Sequence, residues 1–523
     1  MSLNLFRKLR GESMLKEITR DKVLKVLITI LLLQLPFLDM LRTTTFKDIE
    51  VFGIALIELL NIVLIGVSLI ITFTKVKLRD VFKYIGFIVI VGIYIVLHYF
   101  NIIKFDTNIF PKASFNFVTE TFYILRVYVL PLTLLYVLFY NRKIFNKEYY
   151  FKIVKWLIGI ISFSIIALNI LKLSYISYSA KHNHVLYNIF DYFLYHGDYK
   201  QLSSRGFFDS ANELSAILFM LMPINIYLLY KENKKINVVL YVCQYIAMVL
   251  LGTRTAAYGT LLISVVALGA YALLVWLKKE KSKETFNVNF VVALLACTAF
   301  LTISPFMFGR MNDGTPDFSI KDQAAYTDLE NVDIKDLDKL IEKYKSEYLI
   351  NDSYLKMYPL KGDPEFWLAM AKRDKALNND NRRMKIDIIN RIEERNDNPM
   401  DKWLGMGYTL DFMDLERDYI YQYYIFGIIG LLLLIGPYFV LLIYLAIKGF
   451  RSFNKNFKFI TILGCMSVLL GLVIAYYSGH VFGWVSPMMY LVMFLALLIC
   501  IIYDNCETEK VEKSKKNKKK VKA

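Results

Sequence analysis

Apolar residues in this chain come in runs of about twenty, the length a helix needs to cross the ~30 Å hydrocarbon core of a bilayer. Twelve runs can be read: Leu24–Leu41, Val51–Phe73, Tyr84–Ile103, Thr121–Tyr140, Trp156–Ile176, Phe207–Tyr230, Ile236–Leu251, Ala256–Leu277, Val288–Phe308, Tyr419–Ile447, Phe459–Tyr477 and Pro487–Tyr503. The stretch 236–277 is too long for one helix, and Gly252-Thr253-Arg254 in its middle supplies a turn between two. Leu24–Leu41 lacks a small-residue cleavage site, so it reads as a retained anchor and not as a signal peptide. The pattern predicts an all-α polytopic membrane protein with about 12 transmembrane helices.

One long polar stretch interrupts it. The chain divides into helices 1–9 (residues 1–308), an insert of 110 residues (309–418), helices 10–12 (419–503) and a basic tail (504–523). Within the insert, 333–347 and 385–394 are predicted helices, because Ile and Leu recur there at three- and four-residue spacing among charges. An insert this long, among loops mostly under thirty residues, points to function.

Charge orients the chain. The net charge is +17, but much of it lies in short clusters between apolar runs. With the N-terminus inside and twelve alternating spans, the inner segments hold 35 Lys or Arg and the short outer segments 8. That is the positive-inside bias. Both termini are then cytoplasmic and the insert extracytoplasmic, in a multi-pass protein of the cell membrane. The lysine run 510–522 reads as a solvated tail near anionic lipid, and nothing in the charge calls for nucleic acid. The five cysteines, at 243, 297, 465, 500 and 506, lie in apolar runs or the tail without metal-site spacing, so neither disulfides nor zinc are expected.

Polar residues inside spans are costly and default to functional hypotheses. Glu58, Asn61, Arg126, Asn212 and Glu213 are such residues; helix–helix hydrogen bonding is the alternative for Glu58 and Asn61. Arg126, Asn212 and Glu213 lie within one or two turns of the outer ends and could line an outward cavity. Arg205, Arg254, Arg382, Arg383, Glu416, Asp418 and His480 fall on the same outer face, from five separate segments. Guanidinium forks suit a phosphate or diphosphate, and a carboxylate or histidine beside them suits a general base. Pairing of these arginines with lipid headgroups is the alternative. No Walker loop, GxGxxG on a strand, HExxH or nucleophile elbow occurs, so no cofactor is expected. Asp336-Leu337-Asp338 spells a DxD but reads as a solvated helix face. Gly427-Ile428-Ile429-Gly430 and Gly405-Met406-Gly407 are weak glycine patterns, the first suited to close helix packing.

Several segments in order, from residue 203 to 503, resemble the O-antigen ligase and O-antigen polymerase superfamily. They are Ser204-Arg205-Gly206-Phe207-Phe208 with Ala211-Asn212-Glu213 and Pro223; Leu251-Gly252-Thr253-Arg254-Thr255-Ala256; Asn381-Arg382-Arg383; Asn398-Pro399 with Leu404-Gly405-Met406-Gly407-Tyr408; and Glu416-Arg417-Asp418-Tyr419 with Gly427-Ile428-Ile429-Gly430. The ligase pattern places His-Asn nine residues before Gly-x-x-Gly; Glu416 and Arg417 stand there instead, which resembles the branch found in Gram-positive bacteria. The first two hundred residues resemble the family by hydropathy only.

The resemblance implies a GT-C-like membrane fold and a metal-independent glycosyl transfer outside the cell membrane. The donor would be a polyprenyl-diphosphate-linked glycan and the partner an acceptor glycan. Arg205, Arg254 and Arg382 or Arg383 would bind the diphosphate. Glu416, Asp418 or His480 would deprotonate the acceptor hydroxyl, and the sequence leaves open which. It also leaves open polymerase against ligase. The rival reading is transport, as a lipid-linked glycan flippase or polysaccharide exporter. That reading predicts polar or broken helices near the bilayer midplane in both halves, whereas the polar set here lies toward the outer ends.

Overall fold

Each of the twelve apolar runs overlaps a helix in the computed structural model, which describes residues 2–41, 43, 50–51, 54–110, 115–179, 182–191, 199–232, 234–277, 284–302, 304, 323–408 and 415–522. Parts of the predicted insert, 309–322 and 409–414, lie outside the described residues. The long helices are α1 (Ser2–Leu41), α2 (Leu56–Phe73), α3 (Leu78–Ile102), α4 (Phe117–Tyr140), α5 (Lys147–Ile170), α6 (Ala211–Lys231), α7 (Lys235–Leu250), α8 (Arg254–Trp276) and α9 (Glu284–Thr302). After the insert, whose longest described helix is α10 (Asn381–Asn396), come α11 (Asp418–Leu434), α12 (Gly436–Arg451), α13 (Phe459–Tyr477) and α14 (Val485–Lys522). A two-residue antiparallel ladder, Glu50–Val51 with Ile54–Ala55, precedes α2. Among the described residues, nine helices are long and apolar enough to cross a membrane, α11 and α12 counting as one. The apolar parts of α2, α7 and α9 are shorter, so nine of the twelve expected spans reach that length.

Local chemistry sets the boundaries. Asn116, Asn146, Ser210 and Thr253 each cap the N-terminus of α4, α5, α6 or α8 by accepting a backbone N–H. Gly252 turns with φ +67° between α7 and α8, as its position between the two runs predicts. The run 419–447 is not one straight helix. Gly427 leaves helical geometry at φ 63°, and the chain breaks again before Gly436-Pro437. Helix α14 continues through Lys522 and carries the lysine run of the tail.

Helix α6 and the Val485–Cys506 part of α14 are almost wholly buried and form the centre of the bundle. The surrounding helices expose large apolar side chains: Trp276 is 76% exposed, Phe163 70% and Leu432 69%. Faces of that kind are stable against hydrocarbon and not against water. The bundle has two distinct ends. At one end Lys155 pairs with Glu232 (2.7 Å), Lys231 with Glu148 (2.7 Å), Lys147 with Asp504 (3.8 Å) and Lys75 with Asp21. Exposed pairs contribute little stability, but they show that these basic segments lie together. The insert sits at the opposite end.

The insert has its own core. Leu337, Leu340, Ile341 and Tyr344 are buried on one helical face, and Ile388, Ile389 and Ile392 on another, matching the spacing that predicted both helices. Asp336 and Asp338 face solvent, and Asp336 pairs with Lys339 at 3.0 Å. At the centre is Asp363, 5% exposed, which accepts from Tyr358 Oη (2.8 Å), the Phe366 N–H (3.2 Å) and Arg391 Nε (2.7 Å) and Nη2 (3.2 Å). Burial opposes its charge, but the Arg391 and Tyr358 hydrogen bonds outweigh it and hold the carboxyl below its ordinary range. A depressed folded-state pKa stabilises above the unfolded value of about 3.9 and is lost as pH falls through the folded one. The knot is therefore intact at neutral pH. Asp363→Ala removes the acceptor that Tyr358, Arg391 and the Phe366 N–H share and is expected to cost about 1.5–3 kcal/mol. Limited proteolysis at neutral pH checks this: cleavage between 323 and 404 should accelerate sharply while α11–α14 stay protected.

Candidate active site

The end of the bundle that carries the insert collects nearly every residue the sequence singled out. Helices α6 and α13 run antiparallel. Tyr230 packs on Phe459 (ring centroids 5.1 Å), and a Cβ on Gly471 would come within 2.6 Å of Met220 Sδ. On that register the start of α6, with Asn212 and Glu213, comes level with the Ser478-Gly479-His480 turn after α13. Helix α8 runs parallel to α6, because Thr253 Oγ1 meets Ser215 Oγ at 2.7 Å and Tyr271 packs on Tyr230 at 5.3 Å. Arg254 thus starts α8 at the same end.

Four of the predicted residues form one knot. Arg382, at the start of α10, donates from Nε (2.9 Å) and Nη2 (2.6 Å) to Glu416 Oε2 and from Nη1 to the Tyr477 carbonyl (3.0 Å). Asp418 accepts the backbone N–H groups of His480 (2.9 Å), Val481 (2.8 Å) and Phe482 (2.7 Å). Gly479 and His480 both have positive φ (68° and 66°), and a Cβ on Gly479 would press within 2.9 Å of Asp418 Oδ1. Only glycine allows the turn to lie this close to the segment from Glu416 to Asp418.

These contacts separate the carboxylates by role. Asp418 is 3% exposed and its oxygens are committed to three N–H donors, so it holds the turn. Glu416 is 37% exposed, and its Oε1 accepts no hydrogen bond among the described residues. His480 Nδ1 lies 2.9 Å from the Ser478 carbonyl; a carbonyl only accepts, so Nδ1 carries the proton and Nε2 keeps its lone pair in the neutral ring. Trp484 stacks on that ring at 5.7 Å. Two groups, Glu416 Oε1 and His480 Nε2, can accept a proton here.

The arginines divide in the same way. Arg205 is buried; it donates to the carbonyls of Ser177 (3.1 Å) and Ser179 (3.1 Å), and its Nε has no acceptor among the described residues. Burial lowers its pKa, against the nearby charges of Asp209 and Asp39. Arg254 is exposed and makes no ion pair among the described residues. Arg383 is not part of the knot; it pairs with Asp387 four residues along α10 (3.1 Å). Arg126 lies deeper, on a π-helical turn, Leu125–Val129, where it pairs with Glu58 and lies 5.6 Å over the Tyr123 ring. The polar pair predicted in the second run is thus resolved: Glu58 meets Arg126, and Asn61 accepts from Gln34 (3.0 Å). Glu213 is fully buried and Asn212 half-buried.

Sequence reasoning missed the fastening of the insert to the membrane helices. Buried His98 sets Nδ1 against the Leu404 carbonyl (2.6 Å) and Nε2 against Glu120 (3.3 Å), which also accepts the Tyr408 N–H (3.0 Å). Asn101 donates to Asp401 (2.8 Å) and to the Gly405 carbonyl (2.9 Å). The signal was available: His98 and Asn101 lie in the third apolar run, where a polar side chain requires a partner. Both glycine patterns belong to this fastening. Segment 404–408 pairs with α11 through Met406 N–H to Tyr424 O (2.8 Å) and Gly407 N–H to Ile425 O (3.1 Å). A cleft of about 430 Å³, lined by Asn390, Glu393, Glu394, Asp397, Asn398 and Lys402 among others, opens beside it. No group of three or more His, Cys, Asp or Glu suited to a metal occurs among the described residues.

The family model described as O-antigen ligase like membrane protein matches residues 20–505. No curated protein and no solved structure matches.

Proposed function

The chain belongs to the O-antigen ligase-like membrane proteins, and from that premise we propose that it transfers a polyprenyl-diphosphate-linked glycan to an acceptor sugar hydroxyl at the extracytoplasmic face. Family membership carries the coarser statement, a membrane enzyme that moves glycan onto an acceptor. The observation that supports the finer one is the knot of Arg382, Glu416 and the 478–480 turn at the mouth of the bundle, level with the start of α6. The positive-inside bias supports an outer position for this end and cytoplasmic termini.

In this reading the acceptor hydroxyl attacks the anomeric carbon of the donor sugar. The bond from that carbon to the diphosphate oxygen breaks, and the lipid diphosphate leaves. Glu416 Oε1 takes the hydroxyl proton, with His480 Nε2 beside the same turn as the second acceptor. Arg254 and Arg205 Nε offer N–H donors to the diphosphate, and Arg382 joins them when the substrate displaces it from Glu416. Donors aimed at charge that develops on the leaving group lower the barrier directly. The cleft along α10, lined by carboxylates and amides, suits sugar hydroxyls. No metal takes part.

Reconstitution tests the reading. Purified full-length protein in liposomes, given only lipid-linked oligosaccharide and a chelator, is expected to build longer lipid-linked glycans, the result of a polymerase. Transfer that waits for an added acceptor polymer makes the protein a ligase. No transfer in either assay overturns the enzyme reading in favour of transport, and a strict metal requirement overturns the chemistry.

A further inference from the structure

The basic end of the bundle holds a cleft that the transfer reaction does not use. It measures about 370 Å³ and opens between α1 and α5. Lys25 and Lys152 line its mouth, and both are exposed. Neither makes an ion pair among the described residues. Lys25 Nζ sits 5.6 Å over the Tyr149 ring, and the Tyr149 hydroxyl is 3.1 Å from Thr29 Oγ1. The one carboxylate on the wall, Glu148, is occupied by Lys231 at 2.7 and 2.8 Å. Among the described residues the mouth therefore carries two positive charges without an ion pair.

The floor is apolar. Leu33 lies eight residues beyond Lys25 on α1, about 12 Å deeper at the rise of a helix. Ile153 and Trp156 form the opposite wall, and Trp156 is 64% exposed. Tryptophan is enriched where a membrane meets water. Positive charge at the mouth over an apolar floor matches a molecule that is anionic at one end and hydrocarbon at the other. A free phosphate would satisfy the lysines and leave the floor unfilled.

We propose that this cleft holds an anionic phospholipid, its phosphate between Lys25 and Lys152 and its acyl chains along Leu33, Ile153 and Trp156. It is a site distinct from the glycan end of the bundle and independent of the reaction assigned there.

Native mass spectrometry of the full chain reads the site directly. The protein is purified in detergent and equilibrated with equal amounts of phosphatidylglycerol and phosphatidylcholine. It is expected to retain phosphatidylglycerol selectively. K25Q/K152Q is expected to lose about thirtyfold in that retention, the size of two lysine contacts at a membrane surface. K143Q, an exposed lysine in the same basic end but outside the cleft, should behave as the parent. Undiminished retention by K25Q/K152Q would overturn the proposal, and so would an equal loss in K143Q. Displacement of the bound molecule by glycerol 3-phosphate would make the ligand a soluble phosphate and overturn the lipid assignment.

Discussion

Glu416→Gln is expected to slow glycan transfer by roughly 10²–10⁴-fold, the range a positioned general base contributes. The substitution is nearly isosteric. It can still accept from Arg382, so the bonds to the guanidinium and the hold on Tyr477 survive. What disappears is the basicity of Oε1. The loss should therefore appear in kcat, with membrane insertion and thermal stability close to those of the parent. Asp418→Asn behaves differently. It removes the charge that three N–H groups converge on and should lower stability as well as rate. His480→Asn separates the two proton acceptors. If Glu416→Gln keeps its rate and His480→Asn loses it, the proton goes to the imidazole and the assignment of Glu416 is wrong.

The largest structural effect is expected at Gly405 and Gly427. Gly405 has φ +86° and Gly427 φ +63°, where a side chain costs about 1–3 kcal/mol. Space is worse than strain. A Cβ on Gly405 would overlap the Ile425 carbonyl, and one on Gly427 would overlap the backbone of Trp403. Neither neighbour can rotate away, because both are main chain. Overpacking adds a further cost of about 1–3 kcal/mol. Gly405→Ala and Gly427→Ala together are expected to leave little folded protein in the membrane. Gly449→Ala, in a position with open space around it, should have no such effect. Thermal denaturation in detergent and yield after membrane extraction check both. Parent-like stability of the double variant would refute the close backbone packing of 404–408 on α11.

The sequence carried the parts of this fold that depend on one segment at a time. Runs of twenty apolar residues mark helices wherever solvent is hydrocarbon, and Leu337, Ile341, Ile388 and Ile392 show helical spacing because one face of each insert helix meets a core. The candidate residues were legible because arginine and carboxylate are rare at the ends of spans. Most of their partners were not, since those pairs join separate segments, 34 residues apart for Arg382 with Glu416. Arg383 with Asp387 is a local pair four residues along α10, but nothing local says that its neighbour Arg382 meets Glu416. Nor does local pattern show that Asp418 spends its oxygens on a turn 62 residues later. The glycines looked weak as motifs for the same reason. Their requirement comes from a second strand of backbone that only the folded chain brings near.

The buttons between α3 and the insert also set an order of biosynthesis. Asn101 waits for the Gly405 carbonyl, 304 residues downstream, and Tyr94 for the Phe426 carbonyl, 332 residues downstream. At about 5–20 residues per second, a ribosome takes roughly 15–60 s to deliver them. For that interval Asn101 sits on an inserted helix without its Asp401 and Gly405 partners, and His98 has Glu120 within reach but not the Leu404 carbonyl. The early helices must then be sheltered, by the insertion machinery or by water at the bundle mouth, until the last third of the chain arrives.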